Sequence, residues 1–241
     1  MKLTIISTIG ASLIRNYALS KNENPAELLE SIDKMDGAKL KEMENELYLF
    51  ISKGVIPGAP PSEELKSTCA ELSSIFRIIN REVSDEIDEI VLCFVISDTP
   101  QGKLVYNTLE RFFQEKYRDY RGIPIKVYYD VASGLTYVDA EHVSKGLPSV
   151  PVIVSRWIRN MQDVGKVALN VTAGFKAECI YAAFVGILSG IPTYYIHEKF
   201  RDVIRLPPLP EKLILREEDL KILLHFVEKF YQELKDKGKK I

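Results

Sequence analysis

The run Glu89–Ser97 (EIVLCFVIS) constrains the fold more than any other segment, because seven consecutive apolar residues lie between its polar ends. A strand that is apolar on both faces is typical of the interior of a parallel sheet, where helices cover both sides. Similar short runs predict further strands at residues 3–9, 124–129, 166–171 and 192–197, with a short sixth strand at 202–206.

Helical patterns alternate with these strands. They predict helices at residues 26–53 with a break near Gly37, 62–83, 102–120, 139–162 with a break at Pro148 and Pro151, and 173–189. Ser62, which precedes two glutamates, is a predicted N-cap. The alternation predicts an α/β fold, a Rossmann-like, doubly wound and mostly parallel sheet over residues 1–210. An amphipathic helix is expected at residues 217–237, in a C-terminal tail of residues 211–241.

Charge and composition exclude several classes of protein. The 241 residues carry 32 Lys and Arg against 34 Asp and Glu, so no excess of basic residues is available for a broad DNA-binding face. The three cysteines and three histidines show no metal-ligand spacing, and no cofactor is expected. No apolar run reaches the roughly 18 residues of a membrane span. We therefore expect a soluble, cytoplasmic protein that binds neither DNA nor membranes.

Two turns rich in small residues are the best candidates for a ligand site. They are residues 7–13 (STIGASL) and 170–176 (NVTAGFK), and each leads from a predicted strand into a helix. Ligands of doubly wound folds bind at the carboxyl ends of strands where the strand order reverses, which is where the first and fourth strands are expected to be neighbours. Gly10 and Gly174 would let a phosphate approach the backbone, and Ser12 and Lys176 would add a hydroxyl and a positive charge. The alternative is that both glycines only allow close packing.

Known nucleotide-binding loops are absent. Neither turn matches G-x-G-x-x-G or G-x-x-x-x-G-K-[ST], which argues against a dinucleotide oxidoreductase and an NTPase. Ser97, Asp98 and Thr99 follow the second strand and either face the same crevice, where they could contact a base or ribose, or form a helix-capping turn.

Simpler structural roles compete for the remaining polar and aromatic candidates. A weaker crevice candidate, Asp130, ends the third strand. Glu71 could instead form a cap or a buried hydrogen bond. Arg156 and Arg159 could be solvated or paired with acidic residues. The aromatic side chains could belong to the core; these are Phe175, Tyr194 and Tyr195.

With these motifs the chain resembles the CRISPR-associated Rossmann-fold (CARF) proteins, and among them the stand-alone ring nucleases. The resemblance covers about residues 1–210 and rests on five segments: residues 10–13, 69–74, 97–102, 134–135 and 170–176. It implies a homodimer that binds a cyclic tetra- or hexa-adenylate across its two-fold axis. It also implies metal-independent cleavage, by attack of a ribose 2′-OH on the neighbouring phosphate, to linear products with a 2′,3′-cyclic phosphate end.

The resemblance also implies roles for individual residues. Lys176 would stabilise the transition state, and Ser12 would hold the phosphate or orient the 2′-OH. The ligand-binding set would comprise Gly10, Ala11, Ser97, Asp98, Thr99, Thr172, Ala173, Gly174 and Phe175.

The sequence lacks the signals of an effector domain. There is no R-x4–6-H motif of a HEPN ribonuclease, and the residues after the sheet are too few for a winged helix or a restriction-like nuclease. We therefore expect a ring nuclease that switches off type III CRISPR signalling. A non-catalytic sensor that acts through a partner and a Rossmann-like enzyme of another nucleotide remain the alternatives.

Overall fold

The computed structural model describes residues 1–53, 55–56, 61–197 and 202–207, and their strands form one sheet. The strands are β1 (Lys2–Thr8), β2 (Glu89–Ser97), β3 (Asp119–Tyr120), β4 (Ile123–Ala132), β5 (Gly165–Asn170), β6 (Thr193–Tyr195) and β7 (Ile204–Arg205). Their order is β3-β4-β2-β1-β5-β6-β7. Strands β4, β2, β1, β5 and β6 are parallel, while β3 and β7 pair antiparallel at the two edges. The predicted mostly parallel α/β sheet is confirmed.

Helices connect these strands. They are α1 (Ser12–Ser20), α2 (Pro25–Ile32), α3 (Gly37–Ser52), α4 (Glu63–Thr68), α5 (Ala70–Glu82), α6 (Pro100–Glu115), α7 (Ala140–Gly146), α8 (Ser149–Met161) and α9 (Lys176–Leu188). None of the helices in the described part of the chain is both long and apolar enough to cross a lipid bilayer.

The strand order reverses at β1. The chain proceeds from β1 outward to β2 and β4, then returns to the other side of β1 with β5. Ser7 of β1 is in register with Asn170 of β5, so the first and fourth predicted strands are neighbours, as expected. Separate apolar clusters cover the two faces of the sheet, as the alternation along β1 shows: Ile5 belongs to one cluster and Ile6 to the other.

Two predicted helices differ from the structure. The predicted helix 62–83 is two helices, because Cys69 between them is extended, with φ −155° and ψ 160°. The predicted helix 102–120 ends at Glu115. The chain then turns through Arg121 and Gly122, at φ 54° and 84°, so that β3 pairs back onto the start of β4.

Other local predictions are confirmed. Ser62 caps α4, accepting a hydrogen bond from Leu65 N at 3.0 Å. The break near Gly37 occurs where Asp36 caps α3, and α7 ends two residues before Pro148. Pro151, by contrast, lies in the first turn of α8 and does not interrupt it. The tail of residues 211–241, with its expected helix at 217–237, lies outside the described residues.

Candidate functional site

An open cleft lies at the carboxyl ends of β1, β2 and β5, at the point where the strand order reverses. Its volume is about 1490 Å³, above the roughly 300–1,000 Å³ of most small-molecule sites. Two turns lie on its floor, which we call the first turn (residues 9–12) and the second turn (residues 172–176). We call the whole the switch-point cleft. Its lining includes the predicted residues Gly10, Ala11, Ser12, Ser97, Thr99, Thr172, Ala173, Gly174, Phe175 and Lys176.

The two turns touch each other through their glycines. A Cβ atom on Gly10 would lie 2.6 Å from the backbone nitrogen of Gly174. Gly174 has φ +124°, and a Cβ there would lie 2.8 Å from the Glu178 carboxylate. Both glycines therefore allow close packing, and both also line the cleft, which leaves backbone exposed to a ligand.

A buried polar network holds the turns below the cleft. The amide nitrogen of Asn170, at the end of β5, donates to Ser7 Oγ at 2.8 Å and Ser74 Oγ at 2.7 Å. Its side-chain oxygen accepts from the Thr172 backbone N–H at 3.2 Å. Thr8 Oγ1 donates to the carbonyl of Ala173. Because a buried polar group without a partner is costly, these contacts select one conformation of the second turn.

The two helices that start at these turns lack the usual polar cap. Ala11 precedes α1 and Phe175 precedes α9, and neither side chain accepts a hydrogen bond from the first turn of its helix. Helices α2, α3 and α6, by contrast, are capped by Asn24, Asp36 and Thr99. The first backbone N–H groups of a helix need an acceptor, and the helix dipole favours an anion there. The starts of α1 and α9 can therefore donate to phosphate oxygens.

Two cations complement these amides. The exposed side chains of Lys176 and Arg15 line the cleft, and neither forms an ion pair with the described residues. Three acidic residues also line it: Glu30, Asp33 and Asp139. Of the two cations, Lys176 ends the second turn, and Arg15 lies in α1, three residues after the first turn.

Ser12 is already hydrogen-bonded in this structure. Its hydroxyl donates to Glu71 Oε2 at 2.5 Å and accepts from the Ala70 N–H at 2.8 Å. The other Glu71 oxygen accepts from the Gly10 N–H at 2.9 Å. Glu71 is fully buried, and burial raises the pKa of its carboxyl group. The buried-hydrogen-bond interpretation of Glu71 is confirmed, and the glutamate shapes the first turn.

Of the three candidate residues at the end of β2, two line the cleft and one does not. Ser97 and Thr99 line the cleft, with their hydroxyls 2.8 Å apart, and Thr99 caps α6 through Gly102 N at 3.0 Å. Asp98 is not among the lining residues. It pairs with Lys103 at 3.0 Å, and that ammonium group lowers the pKa of the Asp98 carboxyl. The structure thus separates Asp98 from the other candidates.

The aromatic candidates have three different environments. Tyr194 is fully buried in the core, Tyr195 is half-buried and lines the cleft, and Phe175 is 46% exposed at the cleft. The core interpretation is therefore correct for Tyr194 and wrong for Phe175, whose ring lies 5.5 Å from that of Tyr137. Tyr137 belongs to residues 133–139, which we call the rim loop. Its hydroxyl donates to Glu178.

Asp130 lies away from the switch-point cleft. Its carboxylate pairs with Arg156 at 2.7 Å, which confirms pairing as the role of Arg156. Both residues line a separate cavity of about 530 Å³ beside β4.

Arg15 and Tyr137 line the cleft and Glu178 lies beneath it, and the sequence prediction includes none of these three. Arg15 follows Ser12 by three residues, so helical spacing could have placed both on one face. Glu178 is the third residue of α9, a position where a glutamate commonly accepts a hydrogen bond from the N-cap N–H. Tyr137 had no local signal. Within the described residues, no three His, Cys, Asp or Glu side chains form a group that could hold a metal ion.

Comparison with known proteins gives a family match and a distant structural likeness. A family model described as CRISPR-associated protein (Cas_APE2256) matches residues 66–209. No curated protein matches the chain. One similar solved structure is Enterococcus italicus Csm6 bound to cyclic hexa-2′-fluoro-hexa-dAMP, with 11% identity and a TM-score of 0.35. The match covers 93% of this chain and 39% of the Csm6 chain.

Proposed function

Because this chain belongs to the CRISPR-associated Cas_APE2256 family, which agrees with the predicted CARF resemblance, we propose that it binds and cleaves a cyclic oligoadenylate. The observation that carries the proposal is a pair of helix starts whose N-cap side chains accept no hydrogen bond, next to the glycine contact in an open cleft. A cyclic oligoadenylate presents several phosphates on a compact ring. Backbone N–H groups with an adjacent cation bind such phosphates, and a wide cleft leaves room for the bases.

An exposed apolar stripe on α9 supports a homodimer. Ile180, Phe184 and Leu188 follow one another at intervals of four residues, and they are 66%, 63% and 56% exposed. Contiguous exposed apolar surface of this kind marks an interaction site, and two-fold pairing of one surface with itself is the commonest solution. The stripe starts about one helical turn after Lys176. A second copy docked there would bring its own second turn towards the same ring.

The proposed reaction is a transesterification within the ring. The ribose 2′-oxygen attacks the adjacent phosphorus, the P–O5′ bond breaks, and a 2′,3′-cyclic phosphate forms. The 2′-hydroxyl loses its proton to solvent and the leaving 5′-oxygen takes one up. Two such cuts in cyclic tetra-adenylate give two linear di-adenylates. In-line positioning of the 2′-oxygen and neutralisation of the developing charge by Lys176 and the α1 and α9 amides would supply the acceleration, without a cofactor or metal.

The decisive experiment is a single-turnover assay. Protein in excess over labelled cyclic tetra-adenylate is incubated with EDTA, and the products are separated by chromatography, with cyclic hexa-adenylate assayed in parallel. We expect linear products with a 2′,3′-cyclic phosphate end. Lys176→Ala should slow cutting by about 10²–10³. Lys166→Ala is the matched control, because Lys166 lies near the amino end of the same strand, β5, that leads to the second turn.

One observation favours a second candidate, a sensor that binds the ring without cutting it. The Ser12 hydroxyl donates to Glu71 instead of pointing its proton into the cleft. A ring that co-elutes intact with the protein would establish the sensor, which would act through a partner. If neither ring binds, both proposals fail.

A further inference from the structure

Two buried glutamates lie beneath the switch-point cleft, and the proposed reaction assigns no role to either. Both oxygens of Glu71 bond to the first turn, at Gly10 and Ser12. Glu178 differs, because its two oxygens bond to two different segments, the second turn and the rim loop.

Glu178 is 3% exposed. Its Oε2 accepts from the Phe175 N–H at 3.0 Å, in the second turn, and its Oε1 accepts from the hydroxyl of Tyr137, in the rim loop. The rings of Tyr137 and Phe175 are 5.5 Å apart, so the two segments also touch through these side chains. Gly174 allows this approach, since a side chain there would collide with Oε2.

The rim loop has its other anchor at the end of β2. The Asp98 N–H donates to the carbonyl of Leu135 at 3.0 Å, and Leu135 itself is buried. Beyond Leu135 the chain becomes exposed again, and Val138 is 75% exposed. The hydrogen bond from the Tyr137 hydroxyl to Glu178 therefore ties this outer part of the rim loop to α9.

We propose that Glu178 is a positioning residue that makes the rim loop and the second turn take up position together, so that Lys176, which ends the second turn, is held against the cyclic oligoadenylate. The effect on Lys176 rests on the proposed function. The mechanical link between the two segments does not, because it involves only residues of this chain.

The carboxyl group of Glu178 provides a ligand-free probe of the link. Burial raises its pKa to about 7, while the bond from Tyr137 opposes that rise. The groups around it are the Tyr137 hydroxyl, the Cys179 thiol and, through that thiol, Thr8 and Glu71. Further along the rim, Asp139 is hydrogen-bonded to His142.

The first test is an NMR pH titration of the ligand-free protein in a His142→Gln background, which removes the imidazole beside Asp139 from the rim. The amide signals of Phe175 and Val138 should shift with one shared midpoint near pH 7. In Tyr137→Phe, the amide signal of Phe175 should still shift with pH. Its midpoint should be higher, because a hydrogen bond that favours the ionised form of Glu178 is lost. The amide signal of Val138 should then no longer shift with pH. In Glu178→Gln both signals should be flat.

Two results would overturn the proposal. In the first, the amide signals of Val138 and Phe175 have different midpoints. In the second, the Val138 signal still shifts with pH in Tyr137→Phe. Loss of folding is not expected to confuse the result, since Tyr137→Phe keeps the ring and removes one oxygen. Tyr181→Phe, an exposed tyrosine on α9, is the matched control and should leave both titrations unchanged.

The second test uses the ring. In single-turnover assays with cyclic tetra-adenylate, Tyr137→Phe should slow cutting about tenfold and change Kd less than threefold. The substitution should alter the position of Lys176 without removing a contact to the ligand. Equal losses in Kd and rate would show that Tyr137 only binds, and would contradict the positioning role. If the wild-type protein neither binds nor cuts the ring, the proposed function fails, and the NMR titration still decides whether Glu178 links the two segments.

Discussion

Replacing Glu178 by Gln should change how the stability of this protein depends on pH. The Glu178 carboxyl has a pKa of about 7 in the folded protein, against an ordinary value of 4.5, and burial is the largest cause. Below pH 4.5 the group is protonated in both states and its titration costs nothing. Between pH 4.5 and 7 the unfolded chain loses the proton while the folded chain keeps it, so stability falls as pH rises. Above pH 7 the loss is complete.

The magnitude follows from the difference between the two pKa values. A shift of about 2.5 units corresponds to about 3 kcal/mol, because each unit is worth 1.36 kcal/mol. Gln resembles the protonated glutamate in shape and carries no titrating proton. The free energy of unfolding of Glu178→Gln minus that of wild type should therefore increase by about 3 kcal/mol between pH 4.5 and pH 8.5.

Urea denaturation at both pH values measures this difference. Other titrating groups, including Glu71, contribute equally to the two proteins and cancel. The Gln substitution also alters hydrogen bonds to Tyr137 and Phe175, but that change is present at both pH values and cancels as well. A stability difference that is the same at pH 4.5 and pH 8.5 would refute the reasoning, because it would mean that Glu178 titrates alike in the folded and unfolded chain.

Three further predictions concern the turns and the surface. Gly10→Ala should lower the free energy of unfolding by about 1–3 kcal/mol, because its Cβ would collide with Gly174, whereas Gly37→Ala, with nothing within 4 Å, should not destabilise; thermal denaturation distinguishes them. Phe184→Glu should turn the proposed dimer into a monomer in sedimentation experiments, because it places a charge in the apolar stripe of α9; an unchanged dimer would place the interface elsewhere. Asp98→Asn should leave the Kd for cyclic tetra-adenylate within about twofold, because Asp98 pairs with Lys103 outside the cleft; a larger loss would return Asp98 to the site.

Much of the architecture could be predicted from local pattern. The buried strand Glu89–Ser97, the cap at Ser62 and the two small-residue turns all depend on residues close together in the chain. Periodicity and capping act over a few residues, so they can be recognised in sequence. The neighbouring positions of the first and fourth strands followed from the rules of doubly wound sheets.

The tertiary structure decided where the polar groups of the site point. Ser12 meets Glu71 across 59 residues of chain, and Tyr137 meets Glu178 across 41. Such contacts depend on sheet order and on what burial costs a carboxylate, neither of which is visible in a short segment. The break at Cys69 likewise involves a distant contact, because the Ala70 N–H at the start of α5 donates to Ser12. The sequence by itself determined the order of strands and helices and the two turns, because those follow from local preference, while the fold decided which candidates share one cleft, because only burial brings distant residues together.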